Sequence, residues 1–245
     1  MDYVIAIPSS NRYNTINKKT CRMLRKYGID MKRVYVFVPH NQYRKYKERF
    51  YTCREVNVVI GKDGIRAQRN YISEYFKDGQ LIVCLDDDIL RINELRVGVN
   101  KNLLRPIECL ETFILDTALI LNEKKISLAG IFPVNNYHFL KLNKTYNLQY
   151  ISGSFRIFIN RKICENRIFH LLEDWETSLK YYLHDKGVLR YNNIVIENEY
   201  YDLKQYDKSL EEKKFEIMVF NEKYDDYTYI RKRRNILDLQ FKKNI

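Results

Sequence analysis

The sequence predicts an α/β protein built on a central, mostly parallel sheet flanked by helices. Two observations predict it. Nearly continuous apolar runs of five or six residues recur through the first half of the chain, as strands buried on both faces require. Between them lie segments whose apolar residues return at helical spacing, and strand–helix alternation of this kind marks βαβ units with right-handed crossovers. At 245 residues, 45% hydrophobic and 30% charged, the chain is long enough to bury one sizeable core and lies outside the compositions of collagens, disulfide knots and disordered tails.

The first run, residues 3–8 (YVIAIP), ends in the polar turn Ser9-Ser10-Asn11-Arg12. A helix is expected next, with Ile16, Met23, Leu24 and Tyr27 on one face and Gly28 as a left-handed stop. Residues 34–38 (VYVFV) form the second strand, closed by Pro39, and residues 56–60 (VNVVI) the third. Asp63 is placed to cap a helix through about residue 77 that turns Ile65, Ile72 and Phe76 inward, with Gly79 beyond it. The fourth run, residues 81–85 (LIVCL), leads directly into Asp86-Asp87-Asp88.

Beyond the triplet, an amphipathic helix is expected over residues 106–122 and a strand over 126–132. An Asn- and Tyr-rich loop, a strand-like stretch over 148–159 and a helix from Glu173 to residue 186 follow, and then a strand over 188–196. The charged tail from residue 207 to 245 reads as helical. The division expected is a core over residues 1–200 and a helical extension over 201–245 packed on the same domain.

Forty-three Lys and Arg against thirty-one Asp and Glu leave a net charge of +12. Such a surplus suits a polyanionic partner such as nucleic acid, nucleotide or phospholipid, and it equally suits the Lys-rich bias of an A+T-rich genome. The five cysteines, Cys21, Cys53, Cys84, Cys109 and Cys164, have neither disulfide-framework nor zinc-site spacing. With no basic leader, no cleavable apolar segment and no membrane-length apolar stretch, a soluble cytoplasmic protein is expected.

The acidic triplet is the most specific chemical feature, because open α/β sheets bind ligands at the carboxyl ends of their strands. If strand alternation continues through it, Asp86 and Asp88 face one way and Asp87 the other. Two oxygens could then meet one hard cation, Mg²⁺ or Mn²⁺, with a diphosphate completing the shell; the alternative is a solvated acidic turn. Arg66, Arg69 and Asn70 lie on the first turns of a helix whose amino end favours anions, as a diphosphate or nucleotide site needs, or they form a solvated basic face. Glu173-Asp174 before Trp175 is either a helix N-cap or a general base beside an aromatic wall. Ser152-Gly153-Ser154 allows close backbone approach to an acceptor, or bends a strand. Signatures of zinc peptidases, esterases, P-loops and dinucleotide folds are absent, and His40, His138, His170 and His184 have no ligand spacing.

Taken in order, IPSSNR (7–12), GIRAQRN (64–70), LDDDI (85–89) and LLEDWETSL (171–179) resemble the nucleotide loop, R-N helix, DxD metal site and ED base of GT-A-fold glycosyltransferases. The resemblance spans roughly the first two hundred residues. The G-I-x-x-x-R-N helix and L-D-D strand end are similar to those of the TET-associated glycosyltransferase group, implicated in adding sugars to hydroxymethylated bases in DNA; small viral GT-A enzymes that build glycans look similar too. The resemblance implies Asp86 and Asp88 as metal ligands and Asp87 near ribose or sugar hydroxyls. It places Ser9, Asn11, Arg12, Arg69 and Asn70 around a nucleotide-sugar, with a UDP-sugar favoured, Arg66 near the leaving group and Asp174 as base of an inverting transfer. Ser152, Gly153, Glu173 and Trp175 fall on the acceptor side. The sequence departs from the family where Pro39-His40-Asn41 replaces an acidic, base-binding residue. A glycan or protein hydroxyl is the alternative acceptor to DNA, and a catalytically silent nucleic-acid-binding module is the competing class.

Overall fold

The computed structural model describes residues 2–51, 55–98, 103–198, 210–233 and 236–243. Its strands are β1 (Tyr3–Pro8), β2 (Val34–Val38), β3 (Asn57–Ile60), β4 (Leu81–Leu85), β5 (Ile89–Arg96), β6 (Leu103–Pro106), β7 (Leu128–Ile131), β8 (Lys144–Thr145), β9 (Phe155–Ile159), β10 (Leu189–Tyr191), β11 (Ile194–Asn198), β12 (Thr228–Arg233) and β13 (Ile236–Phe241). The helices are α1 (Thr20–Lys26), α2 (Tyr43–Arg49), α3 (Ile65–Tyr75), α4 (Leu110–Lys124), α5 (Lys162–Glu165), α6 (Glu173–Asp185) and α7 (Leu210–Lys223).

The main sheet runs β3-β2-β1-β4-β9-β7-β10-β8. β1 pairs in parallel with both β2 and β4, with Ile5 opposite Val34 and Val83, while β9 runs antiparallel between β4 and β7. Because side chains alternate across a strand, the sheet feeds two cores. Ile5, Ile7, Val36, Val83 and Leu85 pack with Leu24 of α1 and Leu110, Ile114 and Leu121 of α4. Ala6, Phe37, Ile82 and Cys84 pack on the other side with Ile72 of α3, Leu179 and Tyr181 of α6, and Ile217 and Phe220 of α7.

The α/β class and the parallel pairing of β3, β2, β1 and β4 agree with the expectation, and several elements differ from it. The helix expected from residue 106 begins at Leu110, because residues 103–106 form an edge strand beside β5. The stretch 188–196 divides at Asn192-Asn193 into β10 of the main sheet and β11, which pairs with β5 in a three-stranded sheet. Only residues 155–159 of the stretch 148–159 are strand. The tail is not wholly helical. After α7, alternation in TYIRKR and ILDLQF produces the β12–β13 hairpin, whose Leu239 is buried and whose Tyr229 and Arg231 are exposed. Residues 201–209, Arg234 and Cys53 lie outside the described residues, as does the 200/201 boundary. Cys84, Cys109 and Cys164 are free thiols. Among the described residues no helix is long and apolar enough to cross a membrane.

Candidate active site

The carboxyl ends of β1 and β4 and the amino end of α3 enclose a cleft of about 340 Å³, lined by Ser9, Arg12, Pro39, Lys62, Gly64, Gln68, Arg69, Asp86 and Asp87 among others. α3 opens at Gly64, not under an Asp63 cap. Gly64 sits at φ +80° and no side chain caps the helix, so its first N–H groups remain available at the cleft wall. Gln68, one turn in, accepts the Lys62 N–H at 2.5 Å and fixes the loop ahead of the helix.

The triplet does not alternate. β4 ends at Leu85 and Asp86-Asp87-Asp88 form the turn into β5, so strand periodicity no longer governs their directions. Asp87 and Asp88 converge on Arg12, whose Nη1 lies 2.7 Å from Asp87 Oδ1 and 3.2 Å from Asp88 Oδ2. Asp86 turns instead to Arg69, with Nη2 3.1 Å from Oδ1. Its side chain is 32% exposed, against 6% for Asp87 and 7% for Asp88, so Asp86 is the member most open to a ligand. Ser9 Oγ donates to Asp87 Oδ2 at 2.5 Å and receives the Tyr46 hydroxyl at 2.7 Å, while the Arg12 N–H donates to that hydroxyl at 3.0 Å. Thr20 Oγ1 donates to the Asp86 carbonyl at 2.7 Å and accepts the Ile89 N–H at 2.9 Å.

Arg69 joins the two halves of the site. Besides Asp86 it pairs with Glu173 and, at 2.9 Å, with Asp174 Oδ1. Gly153 packs against this junction, where a Cβ would collide with the Arg69 guanidinium and the Asp174 carboxylate. The Asp86 N–H donates to the Ser154 carbonyl at 3.0 Å, so the Ser152–Ser154 loop reaches both the Asp86 backbone and the Asp174 carboxylate. The Tyr150 hydroxyl donates to Asp174 Oδ2 at 3.2 Å.

Behind Arg69 runs a buried chain of alternating charge. Arg156 grips Glu165 through two hydrogen bonds of 3.2 and 3.0 Å, Arg167 pairs with Glu165 at 2.5 Å, and Arg167 Nε lies 3.2 Å from Glu173 Oε2. Burial pushes the Glu173 carboxyl above its ordinary value, against the pull of Arg69. Arg69 stays protonated despite its burial because Glu173, Asp174 and Asp86 surround it.

A hard divalent cation fits these donors. Burial raises Asp86, Asp87 and Asp88 above the usual carboxylate range, and the carboxylates of the site outnumber the guanidinium groups beside them. Carboxylate oxygen is the donor Mg²⁺ and Mn²⁺ prefer. Among the described residues no three His, Cys, Asp or Glu side chains gather into a cage, so a cation on Asp86 and Asp88 needs further oxygens from its ligand and water.

The structure brings Ser9, Arg12, Arg69, Asp86, Asp87, Asp88, Gly153, Glu173 and Asp174 together. It directs three other expected residues elsewhere. Arg66 Nη1 donates to the Ile168 carbonyl, and Asn70 uses both ends of its amide on Arg167; neither lines the cleft. Trp175 stacks between Tyr150 and Phe241, at 5.0 and 4.6 Å. Asn11 stands at the rim in a left-handed conformation, its N–H given to Gln42, and Ser152 bonds to Ser154. The sequence gives no local signal for Tyr46, Tyr150, Glu165 or Arg167, because their roles arise from pairings distant along the chain. Lys62, which lines the cleft, stands two residues ahead of GIRAQRN and has no role in the sequence reading.

No protein-family model matches the chain, and no curated protein matches it in sequence. In three dimensions it is similar to mannosyl-3-phosphoglycerate synthase from Rubrobacter xylanophilus, with a TM-score of 0.51 and 10% identity over 97% of this chain and 83% of that one. It is also similar to glucosyl-3-phosphoglycerate synthase from Mycobacterium tuberculosis, solved with Mn²⁺, UDP-glucose and phosphoglyceric acid, with a TM-score of 0.50 and 10% identity over 99% of this chain and 88% of that one. These likenesses establish the fold as GT-A-like α/β.

Proposed function

We propose that this protein is a glycosyltransferase that moves a sugar from a nucleotide-sugar, favouring a UDP-sugar, to a hydroxyl acceptor by direct, inverting displacement. One observation carries the reading. Arg69 ties Asp86, at the mouth of the cleft, to Asp174, so that a donor-side carboxylate and a candidate base share one rigid junction. The fold likeness to a synthase solved with UDP-glucose and Mn²⁺ supports it.

The uncapped amino end of α3, with Lys62 beside it, suits the donor's diphosphate. Ser9 and Arg12 hold Asp87 toward the donor's hydroxyls. Asp86 and Asp88 are the residues that would hold Mn²⁺ or Mg²⁺, which when bound neutralises charge on the departing diphosphate. Asp174, fixed through both oxygens by Arg69 and Tyr150, receives the proton of the incoming hydroxyl. Glu173 keeps Arg69 in place between them.

For the acceptor we favour a hydroxymethylated base in DNA, on the motif resemblance to the TET-associated group, the +12 charge and the exposed Tyr229, Arg231 and Lys232 on the hairpin. Binding to duplex DNA that weakens steeply with salt is the expected result; indifference to DNA points to a glycan or protein hydroxyl. The activity itself is tested by incubating the protein with UDP-, GDP- and dTDP-sugars and Mn²⁺ and measuring released nucleoside diphosphate. Release that disappears in Asp86→Ala and Asp88→Ala supports the reading. Release unaffected by either substitution contradicts it, and no release from the wild type favours a silent binding module.

A further inference from the structure

Residues 168–172, just before Glu173, present five consecutive N–H groups, and two glutamates take all of them. Glu176 of α6 accepts those of Ile168 and Phe169 at 2.8 and 3.0 Å. Glu216, on α7 and more than forty residues away in sequence, accepts those of His170, Leu171 and Leu172 at 2.9, 2.7 and 3.2 Å. α6 has no side-chain cap at its own N-cap residue, Leu172, so Glu216 supplies from another helix the anion that a helix start favours.

A second contact holds the same turn from its other side. Phe241, the last residue of β13, stacks on Trp175 at 4.6 Å, Trp175 stacks on Tyr150 at 5.0 Å, and the Tyr150 hydroxyl reaches Asp174 Oδ2. Between these grips, Phe220 of α7 packs on Phe169 at 4.9 Å, and Ile217, Phe220 and Leu239 share a core with Leu172 and Leu179. Glu173-Asp174-Trp175 is therefore grasped before and after by one stretch of chain.

We propose that α7 and the β12–β13 hairpin form a positioning element for Asp174, with Glu216 and Phe241 as its positioning residues. The proposal rests on the reading of Asp174 as the base. Neither residue reaches the cleft. They act by fixing the backbone that carries Asp174 and the aromatic stack that orients its second oxygen. Small displacements of a group engaged in chemistry cost rate far more than they cost donor binding.

The test uses Glu216→Ala, Glu216→Gln and Phe241→Ala in the full chain, with donor turnover and two structural readouts. Trp175 is the single tryptophan of the chain, so its emission reports whether Phe241 is docked; hydrogen exchange at residues 170–172 reports the Glu216 grip. Expected for Glu216→Ala and Phe241→Ala is a fall in kcat on the order of 10-fold or more, with donor KM within about twofold. Glu216→Gln, which keeps an accepting oxygen, recovers most of the rate. Should Glu216→Ala fail to fold, Phe241→Ala carries the test, since that ring is only half-buried. The proposal is overturned if a folded variant shows faster exchange or shifted Trp175 emission and yet keeps wild-type kcat. Failure of the underlying reading looks different: the wild type itself then releases no nucleoside diphosphate, and the positioning role falls with it.

Discussion

The two halves of the site are held by different kinds of structure. Ser9, Arg12 and the acidic triplet sit at the ends of parallel strands, where the chain leaves the sheet, and their partners are few and close to the cleft. Glu173 and Asp174 sit at the start of α6, held by Arg69 in front, the Arg156–Glu165–Arg167 chain behind and α7 above. The first arrangement follows from strand topology. The second must be assembled from residues spread along the chain from Arg69 to Glu216, and so it has more ways to be broken.

Asp174→Asn gives the largest effect on the acceptor half. It keeps the shape and one accepting oxygen but removes the carboxylate proposed as base, so kcat is expected to fall by about 10²–10⁴ with donor binding retained. Unchanged turnover in this variant removes Asp174 from the mechanism. Arg167→Met tests the buried chain by thermal unfolding. It leaves the buried carboxylates of Glu165 and Glu173 with one guanidinium each, Arg156 for the first and, for the second, an Arg69 already shared with Asp86 and Asp174, at an expected cost of about 3 kcal/mol. Replacing Arg156, Glu165 and Arg167 together with apolar residues of similar volume should cost much less, because no unpaired charge stays buried. Equal losses in the two variants would show that packing, not charge pairing, holds this half.

On the donor half, burial raises Asp86 and Asp88, with Arg69 and Arg12 acting in opposition. A cation needs both ionised, so protonation competes with it at higher pH than for free carboxylates. Any rise in Tm produced by Mn²⁺ should therefore begin to shrink, as pH falls, above the range where free carboxylates titrate. A pH-independent rise would place the cation elsewhere. The smallest effect is expected for Arg66→Ala, whose guanidinium serves the Ile168 carbonyl outside the cleft: stability within about 0.5 kcal/mol and turnover within about twofold.

The same contrast explains what could be read before any coordinates. Strands at 34–38 and 81–85 were legible because buried parallel strands are apolar along their whole length, and the triplet was legible because it ends one of them. Its geometry was not, since Asp86-Asp87-Asp88 leave the strand and each direction is set by Arg12 or Arg69. β5 escaped notice because INEL mixes polar and apolar residues, and β11 was read only as the continuation of β10, because the break at Asn192-Asn193 sends the chain into a second, smaller sheet. The Asp174 turn could be suspected from its neighbours in sequence. Its supports, Tyr150, Arg167, Glu216 and Phe241, could not, because each acts through a contact made only on folding.

The central claim is that the cleft beside Ser9, Arg12, Asp86 and the amino end of α3 receives the diphosphate of a nucleotide-sugar. A crystal structure with UDP and Mn²⁺ tests it most directly. The account predicts the diphosphate against the first N–H groups of α3, with the cation on Asp86 and Asp88. UDP bound away from the cleft, or the cation bound to other residues, would contradict it.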